Sequence, residues 1–338
     1  MHKKISHVFH CDLLRWYHRY RRDLPWRRCI TPYRVAVAEL MCQQTQITTV
    51  LPYYERWMQR WHDWKSLAQA RGADVLKMWE GLGYYRRARS LHAMAQEVME
   101  KYNGELPDDI HKLQKLPGIG AYTAGAIASI AFGKRVPLVD GNVERVFSRA
   151  IGVSPARARN RARAGLTPMW ALAQQLLPKK NCGDFNQALM ECGSQICTPR
   201  NPQCSICPLK KICRALLSGK NPEFISLKSR PKTIAERETL AWIQKNKKLW
   251  LESPKNSRRW KGFYRLPHWD AQKMSRGKKL FDLTYTITRY RVRADVIQAR
   301  AKNSLQHGKW FSFQEIEKIF LPAPHRKITR HIRMTQSE

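Results

Sequence analysis

The chain of 338 residues is long for a single hydrophobic core, and its hydrophobic content of 43% is that of a folded protein and not of a disordered one. Its apolar runs are too short to cross a bilayer, so no membrane contact is expected. It carries 62 Lys and Arg against 26 Asp and Glu, a formal net charge of +36. Because such a surface attracts polyanions, we expect a nucleic-acid partner. The length leads us to expect two domains, and the short apolar runs a cytoplasmic protein.

The first 217 residues have the pattern of successive helices. Thr31 followed by Pro32 is typical of an N-cap and the first helical position, and predicts a helix through YRVAVAELMCQ. Apolar residues recur at steps of three and four in LPYYERWMQRW, ADVLKMWEGLG and RRARSLHAMAQEVMEKY. Asp140 is expected to cap a further helix, NVERVFSRAIG. A mostly α region is therefore predicted for residues 1–217.

The character of the sequence changes after residue 217. The polar stretch SGKNPEFISLKSRPK predicts a linker at 218–232. Beyond it, TLAWIQKNKKLWLE and LFDLTYTITRYRVRADVIQA alternate apolar and polar residues, as strands do. A second, smaller α+β domain is predicted for 233–338. Within the helical region, the arginine-rich run at 157–163 is equally compatible with a solvated surface and with a loop that contacts phosphates.

Four of the nine cysteines lie close together, with the spacing C-x6-C-x2-C-x5-C; they are Cys197, Cys204, Cys207 and Cys213. Thiolates at this spacing can enclose one metal centre, either a zinc ion or an iron–sulfur cluster. A structural zinc site usually pairs two C-x2-C knuckles, whereas only one gap here is that short. No open coordination position is evident, so the centre is expected to be structural.

The stretch LPGIGAYTAG places two glycines between predicted helices. Gly118 and Gly120 allow a turn tight enough for backbone amides to face a phosphate. In a chain this basic, the pattern predicts a helix-hairpin-helix DNA-binding motif. An ordinary helix–helix turn is the alternative.

Two carboxylates follow apolar runs. Glu39 stands inside VAVAELMCQQTQ, and burial raises the pKa of a carboxylic acid because the ionised form loses its solvation. Glu39 is therefore a candidate for an acid that keeps its proton near neutral pH, with a structural glutamate as the alternative. Asp140, which follows VPLV, is either only an N-cap or a carboxylate at the edge of a cleft that stabilises a sugar cation.

Two tyrosines follow a glycine turn in GLGYYRRAR. Aromatic rings among arginines can stack on bases or wedge between them while the cations hold phosphates. At least one of the two rings is alternatively part of a core, and we expect that of Tyr85 more than of Tyr84.

In this order, TPYRVAVAELMCQQTQ, GLGYYRRAR, LPGIGAYTAG, VDGNVERV, FNQALMECG and the cysteine spacing resemble the MutY family of adenine DNA glycosylases, which belongs to the endonuclease III superfamily. The resemblance covers 9–215 closely and 233–325 more weakly. It implies a helix-hairpin-helix glycosylase fold with an iron–sulfur cluster loop. A six-helix barrel would span 30–135, and the cluster subdomain 1–29 plus 136–217. The C-terminal α+β domain would be Nudix-like and would recognise the lesion.

The resemblance also implies a function. The family's enzymes act in base excision repair as monofunctional glycosylases that flip and remove adenine mispaired with 8-oxoguanine or guanine. The implied cofactor is one four-iron four-sulfur cluster on the four cysteines. The implied partner is double-stranded DNA with an A:8-oxoguanine or A:G mispair, bound by a monomer that in a bacterium would associate with the nucleoid.

Residue roles follow by motif position. Glu39 would protonate N7 of adenine, and Asp140, with Asn142 beside it, would stabilise the oxocarbenium ion. Tyr122 stands where bifunctional relatives carry a Schiff-base lysine, which implies base removal without strand cleavage. The remaining matches would fill or wedge the base stack (Gln43, Tyr84) or form the pocket of the extruded adenine (Leu24, Trp26, Arg27, Gln187).

The C-terminal region departs from the family in two places. AQKMSRGKKL carries no acid, so the glutamate-rich box of Nudix hydrolases is missing and metal-dependent hydrolysis is not expected. Where the family reads 8-oxoguanine with Phe-Ser-His, this chain has Ile287, Thr288 and Arg289. Thr288 keeps a hydroxyl that can hydrogen-bond to the oxidised base, whereas Arg289 suits the acceptors of normal guanine.

Two other functions stay open at this point. A tyrosine at position 122 is also compatible with the thymine or uracil mismatch glycosylases of the superfamily. The second of these alternatives is a non-catalytic DNA-binding module with a metal cluster, in which the carboxylates are structural.

Overall fold

The computed structural model describes residues 2–152, 168–219, 233–254, 259–260, 263–302 and 305–335. The arginine run at 157–163 and most of the predicted linker at 218–232 lie outside these ranges. In the described ranges, no helix combines the length and the apolar character that crossing a bilayer requires.

The chain divides into two compact units. The first, which we call the helical unit, contains Met1–Gln69 and Ser90–Lys228. The second, which we call the mixed unit, contains Ala70–Arg89 and Ser229–Glu338. The segment Ala70–Arg89 lies inside the predicted helical region of the sequence, but it groups with the C-terminal residues.

Short helices make up the described part of the helical unit. They are α1 (His2–His7), α2 (Leu14–Tyr20), α3 (Pro25–Arg28), α4 (Pro32–Cys42), α5 (Ile47–Arg60), α6 (Trp64–Ala68), α8 (Arg86–Lys101, which begins in the mixed unit), α9 (Ile110–Lys115), α10 (Ala121–Ala126), α11 (Gly141–Ile151), α12 (Pro168–Leu176), α13 (Cys182–Glu191) and α14 (Arg214–Leu217). Wider π-helical turns occupy Val8–Leu13, Ile127–Ala131 and Cys192–Ile196, and a 3-10 turn occupies Cys204–Ile206.

Helix α4 begins where the sequence predicts. The hydroxyl of Thr31 accepts from the amide of Arg34 at 3.2 Å, and Pro32 occupies the first helical position. Most of the helix is buried, so packing stabilises it on nearly all sides. Glu39 is therefore carried on a rigid element.

The glycine turn predicted as a hairpin connects α9 and α10. Gly118 has φ +82°, and a Cβ there would lie 2.6 Å from the Cβ of Ser90. Only glycine is therefore tolerated at this position without a shift of the neighbouring helix. Gly120 caps α10 in an extended conformation and faces open space, so no steric reason requires glycine there.

The core of the helical unit lies between its N-terminal helices and α11–α13. Phe9 contacts Phe147 and Phe185 edge-on, with ring centroids 5.8 and 6.4 Å apart. All three rings are fully buried. This packing holds together the N-terminal segment and the helices that carry Asp140 and Gln187.

The mixed unit contains helix α7 (Gly72–Met78), two three-stranded sheets and helices α15 (Phe313–Lys318) and α16 (Ala323–Thr335). Its strands are β1 (Ile234–Trp242), β2 (Gln244–Lys245), β3 (Lys248–Glu252), β4 (Met274–Ile287), β5 (Tyr290–Ala301) and β6 (Gly308–Ser312). One sheet has the order β1-β5-β4, with β1 parallel and β4 antiparallel to β5. The other has the order β2-β3-β6 and is antiparallel. The strands expected within TLAWIQKNKKLWLE and LFDLTYTITRYRVRADVIQA are confirmed.

Candidate active site

A cavity of about 470 Å³ opens within the helical unit, in the size range of small-molecule pockets. Both apolar and polar side chains line it. Eight residues predicted from the sequence meet there, namely Leu24, Trp26, Arg27, Glu39, Tyr122, Asp140, Asn142 and Gln187.

Glu39 and Tyr122 face each other in this cavity. The phenolic hydroxyl of Tyr122 donates to Oε2 of Glu39 at 2.8 Å, and the sulfur of Met190 lies 3.0 Å from the same hydroxyl oxygen. Burial, together with a smaller effect of the nearby Asp140, raises the pKa of Glu39 to about 7, although the hydrogen bond from Tyr122 acts in the opposite direction. The pKa of Tyr122 lies well above its ordinary value, since burial and the charge of Glu39 both oppose its ionisation. Glu39 can therefore hold a proton near neutral pH.

Asp140 is both the cap of α11 and a cavity residue. Its Oδ1 accepts from the amide of Val143 at 2.7 Å, and its Oδ2 accepts from the side-chain amide of Asn142 at 2.9 Å. Burial raises the pKa of Asp140, while these hydrogen bonds act in the opposite direction. The predicted N-cap is confirmed, and the carboxylate is oriented by two donors.

An acid that the sequence did not single out organises the wall of the cavity. Glu191 accepts from Arg22 at 2.8 Å through each oxygen, and from Arg27 at 3.0 Å. Arg27 also donates to Oε1 of Gln187 at 3.0 Å, so the pocket residues Arg27 and Gln187 are held in place by Glu191. The signal available in the sequence was an acid within the apolar run of FNQALMECG.

The two glutamates of the cavity have opposite protonation behaviour. Burial alone would raise the pKa of Glu191, but hydrogen bonds from Arg22 and Arg27 lower it to about 2. No arginine donates to Glu39 in the described structure, and its pKa rises. Two glutamates that line one cavity thus differ in protonation: Glu191 is held as an anion, whereas Glu39 can hold a proton near neutral pH.

Arg145 connects the cavity to the cysteine-rich loop. Its guanidinium donates to Oδ1 of Asn142 at 2.8 Å, to the carbonyl of Gly193 at 2.6 Å and to the carbonyl of Cys197 at 2.6 Å. A Cβ at Gly193 would lie 2.7 Å from the Cβ of Asn142, so glycine permits this close approach. Asp140, Asn142, Arg145 and Cys197 therefore form one hydrogen-bonded series.

The four closely spaced cysteines line a single cavity of their own, formed by Cys197, Cys204, Cys207 and Cys213. Nη1 of Arg149 lies 3.3 Å from the sulfur of Cys197 and donates to the carbonyl of Thr198 at 2.7 Å. Four thiols around one space with a buried cation beside them suit an anionic metal–thiolate centre. The residues present therefore fit the cluster implied by the sequence.

The other predicted DNA-binding residues lie elsewhere. Gln43 does not line the cavity; its side-chain amide donates to the hydroxyl of Thr123 at 3.3 Å. The next residue, Gln44, is exposed and has φ +56°. Gly118 and Gly120 form the hairpin turn and are likewise outside the cavity lining.

Three predicted residues belong to the mixed unit. Tyr84 is 49% exposed with φ +48°, whereas Tyr85 is half-buried and packs against Phe320 with ring centroids 4.7 Å apart. Thr288 and Arg289 form the exposed two-residue turn between β4 and β5. Thr288 has φ +51°, which is strained for a β-branched side chain and was not predicted.

The chain is similar to known DNA repair proteins. Residues 37–170 match the family described as HhH-GPD superfamily base excision DNA repair protein, and residues 197–213 match the iron–sulfur binding domain of endonuclease III. An adenine DNA glycosylase of Buchnera aphidicola subsp. Schizaphis graminum is 31% identical over 343 residues, which cover 95% of this chain and 98% of that protein. The chain belongs to the adenine DNA glycosylase family.

Membership of this family confirms the predicted fold class and the expected cofactor, one four-iron four-sulfur cluster. The adenine DNA glycosylase of Homo sapiens is 47% identical over 219 residues, which cover 62% of this chain and 39% of that protein. That of Mus musculus is 45% identical and covers 66% of this chain and 45% of that protein. The chain thus spans less than half the length of these mammalian relatives.

Solved structures give the same fold. A thermostable thymine-DNA glycosylase superposes with a TM-score of 0.58 at 29% identity, over 64% of this chain and 98% of that one. A non-covalent endonuclease III–DNA complex superposes with a TM-score of 0.54 at 22% identity, over 65% of this chain and 98% of that one. The likeness covers about two thirds of the chain.

Proposed function

We propose that this protein is a monofunctional DNA glycosylase that removes adenine mispaired with 8-oxoguanine or guanine. The observation that carries the proposal is the raised pKa of Glu39, about 7, inside a cavity that also holds Asp140. Adenine leaves a sugar readily only after protonation, so the reaction needs a carboxylic acid at neutral pH. The family membership supports adenine as the base.

The cavity accounts for each step of this reaction. The target nucleotide is flipped out of the duplex, because a base inside the stack is out of reach. Glu39 donates its proton to N7 of the flipped adenine, and the N-glycosidic bond breaks as positive charge develops on the sugar. The carboxylate of Asp140, held by Asn142 and Val143, stabilises that charge until water completes the hydrolysis. Tyr122 has no amine with which to form a Schiff base, so the strand is not cut.

The wall of the cavity would recognise the base. Oε1 of Gln187 accepts from Arg27, which leaves the Nε2 amide hydrogens of Gln187 to donate to a purine ring nitrogen. Leu24 and Trp26 supply apolar surface for the ring, and Trp26 is braced edge-on by Tyr54 at 4.9 Å. Because the ion pairs of Glu191 fix Arg27, this wall is rigid before the base arrives.

Outside the cavity, we assign the exposed residues to the remaining duplex. Tyr84 presents a ring that can wedge between bases. Gln44 is a better candidate than Gln43 to occupy the space left by the adenine, since the side chain of Gln43 already donates to Thr123. Thr288 and Arg289, at the β4–β5 turn, are the proposed contacts to 8-oxoguanine or guanine.

The cluster has a structural part in this proposal. Cys197, Cys204, Cys207 and Cys213 would hold it, and a four-iron four-sulfur cluster supplies a rigid cross-link between distant parts of the loop. The carbonyl of Cys197 accepts from Arg145, which in turn holds Asn142. An ordered cluster loop would thereby help to hold Asp140 in position.

The test is an assay on four duplexes, carrying A opposite 8-oxoguanine, A opposite G, T opposite G, and U opposite G. Each is incubated with the protein, and alkali then reveals abasic sites. Release of adenine from the first two supports the proposal. Release only of thymine or uracil would favour a mismatch glycosylase of the same fold, and binding without release would favour a non-catalytic module.

A further inference from the structure

The segment Ala70–Arg89 carries Tyr84, and its contacts within the mixed unit explain how that ring is held. This segment contains α7 and the glycine turn, and it is separated by about 140 residues of chain from the other members of its unit. Contacts between side chains therefore tie it to the C-terminal elements. Two sets of such contacts stand out.

The first is a buried ion pair between Glu80 and Arg326 of α16. Nε and Nη2 of Arg326 donate to the two carboxylate oxygens of Glu80 at 2.6 and 3.2 Å. The side chains of Arg326 and Glu80 are only 7% and 14% exposed. Lys77 adds a second bridge, since its Nζ donates to Glu80 at 2.8 Å and to the carbonyl of Ile319 at 3.2 Å. A bidentate pair this buried fixes direction as well as distance.

The second is a group of aromatic side chains. Tyr85 lies edge-on to Phe320 and Phe263, with centroids 4.7 and 5.9 Å away, and those two rings are themselves 4.7 Å apart. The guanidinium of Arg89 lies 4.2 Å from the ring of Phe263. Tyr85 and Arg89 follow Tyr84 in the sequence, whereas Glu80 of the first set precedes it, so the two sets together anchor the turn before and after the exposed ring.

A short series of contacts leads from the ion pair to Tyr84. The indole of Trp79, beside Glu80, donates to the carbonyl of Gly83 at 3.0 Å. Arg87 donates to the same carbonyl at 3.1 Å, and its guanidinium lies 5.4 Å from the ring of Trp79 and 5.3 Å from that of Tyr84. Tyr84 itself has φ +48°, a conformation that needs support from its surroundings.

We propose that Arg326, acting through Glu80, is a positioning residue for Tyr84. The mixed unit would then both carry the β4–β5 turn and hold the ring of Tyr84 in the direction in which it wedges between bases. The inference rests on the proposed function, because it takes Tyr84 as the residue that enters the base stack. Loss of the ion pair frees the end of α7, and the turn that holds Tyr84 loses its fixed direction. The wedge then enters the duplex less often, although Tyr84 is still present.

The experiment uses a duplex with a stable abasic analogue opposite 8-oxoguanine and the fluorescent base 2-aminopurine next to the lesion. Insertion of Tyr84 unstacks 2-aminopurine and raises its fluorescence, whether or not any base is released. The variants are Arg326→Met and Glu80→Gln, with Tyr84→Ala as the reference. Arg330→Met is the matched control, since Arg330 lies on the same helix, is 62% exposed and pairs with Glu317 at 3.1 Å.

We expect Arg326→Met and Glu80→Gln to lose most of the fluorescence rise and to weaken duplex binding about tenfold, as loss of one stacking contact does in Tyr84→Ala. Arg330→Met should behave as wild type, and adding Arg326→Met to Tyr84→Ala should change little further. Glu80→Gln leaves Arg326 bonded to the carbonyls of Ile316 and Ile319, so it reports on the inference even if Arg326→Met fails to fold.

A full fluorescence rise in folded Glu80→Gln would overturn the inference. So would additive losses in the double variant, because independent effects mean that the two residues are not coupled. Adenine release by the wild type is measured separately on a cleavable duplex. Its absence would reject the proposed function, whereas its presence with an unchanged fluorescence signal in Glu80→Gln rejects only the role of the ion pair.

Discussion

The hydroxyl of Tyr122 donates a 2.8 Å hydrogen bond to Oε2 of Glu39, across 83 residues of sequence. This bond leaves Oε1 of Glu39 as the oxygen that can carry a transferable proton. It also favours the ionised form of Glu39, against the burial that raises its pKa to about 7. Burial and this hydrogen bond together keep the pKa of Glu39 near neutral pH, so that Glu39 can both hold a proton and donate it.

Replacing Glu39 should separate chemistry from binding. Glu39→Gln keeps the size and polarity of the side chain but has no acidic proton, so adenine release should fall by about 10²–10⁴-fold. Single-turnover release and duplex affinity are measured together. Glu100→Gln, at an exposed position of α8, is the control and should match wild type. Undiminished release by Glu39→Gln would mean that another group is the acid.

Replacing Tyr122 should move the pH dependence and not abolish activity. Tyr122→Phe removes a hydrogen bond that lowers the pKa of Glu39, so that pKa should rise and activity should persist to higher pH. The pH at which single-turnover release is half-maximal is the readout. Tyr20→Phe, which removes a hydroxyl from a residue that is 57% exposed, should leave the profile unchanged. A shift to lower pH in Tyr122→Phe would contradict this role of the hydrogen bond.

Arg145 should matter to both the active site and the cluster loop. Arg145→Gln loses the hydrogen bonds to Asn142 and to the carbonyls of Gly193 and Cys197. We expect the rate of base release to fall about 10- to 100-fold, as it does when other residues that support metal ligands are replaced. The protein should also retain less iron. Iron content and visible absorbance are measured beside release. Arg15→Gln, whose side chain is 76% exposed, is the control. Normal release together with lost iron would show that the series from Asp140 to Cys197 is not functional.

Replacing Thr288 with glycine should make the protein more stable. Its φ of +51° is strained for threonine, so Thr288→Gly should raise the free energy of unfolding by about 1 kcal/mol. Loss of the hydroxyl should at the same time reduce the preference for 8-oxoguanine over guanine. Thr284→Gly, at an exposed position in the middle of β4, should instead destabilise by about 0.5–1 kcal/mol. Equal destabilisation by both substitutions would show that Thr288 is unstrained.

Local chemistry made much of this structure predictable from the sequence. The caps at Thr31 and Asp140 depend on neighbours three residues away, and alternation alone indicated β4 and β5. Glu39, Tyr122 and Asp140 were selected because of their positions in recognised motifs, and all three line one cavity.

Features that depend on distant partners were not predictable in this way. The low pKa of Glu191 requires Arg22 and Arg27, more than 160 residues away, since without them the same burial would produce an acid like Glu39. The grouping of Ala70–Arg89 with the mixed unit depends on Glu80 and Arg326, 246 residues apart. Periodicity carries no information about such pairings.

The most direct test of the central claim is the rate of adenine release from an A:8-oxoguanine duplex as a function of pH, under single-turnover conditions. Because the folded pKa of Glu39 is raised to about 7, its proton is present below that pH and is lost above it. The rate should therefore be level below about pH 7 and fall about tenfold per pH unit above it. A rate that stays constant from about pH 7 to 9, with adenine still released, would contradict the assignment of Glu39 as the acid.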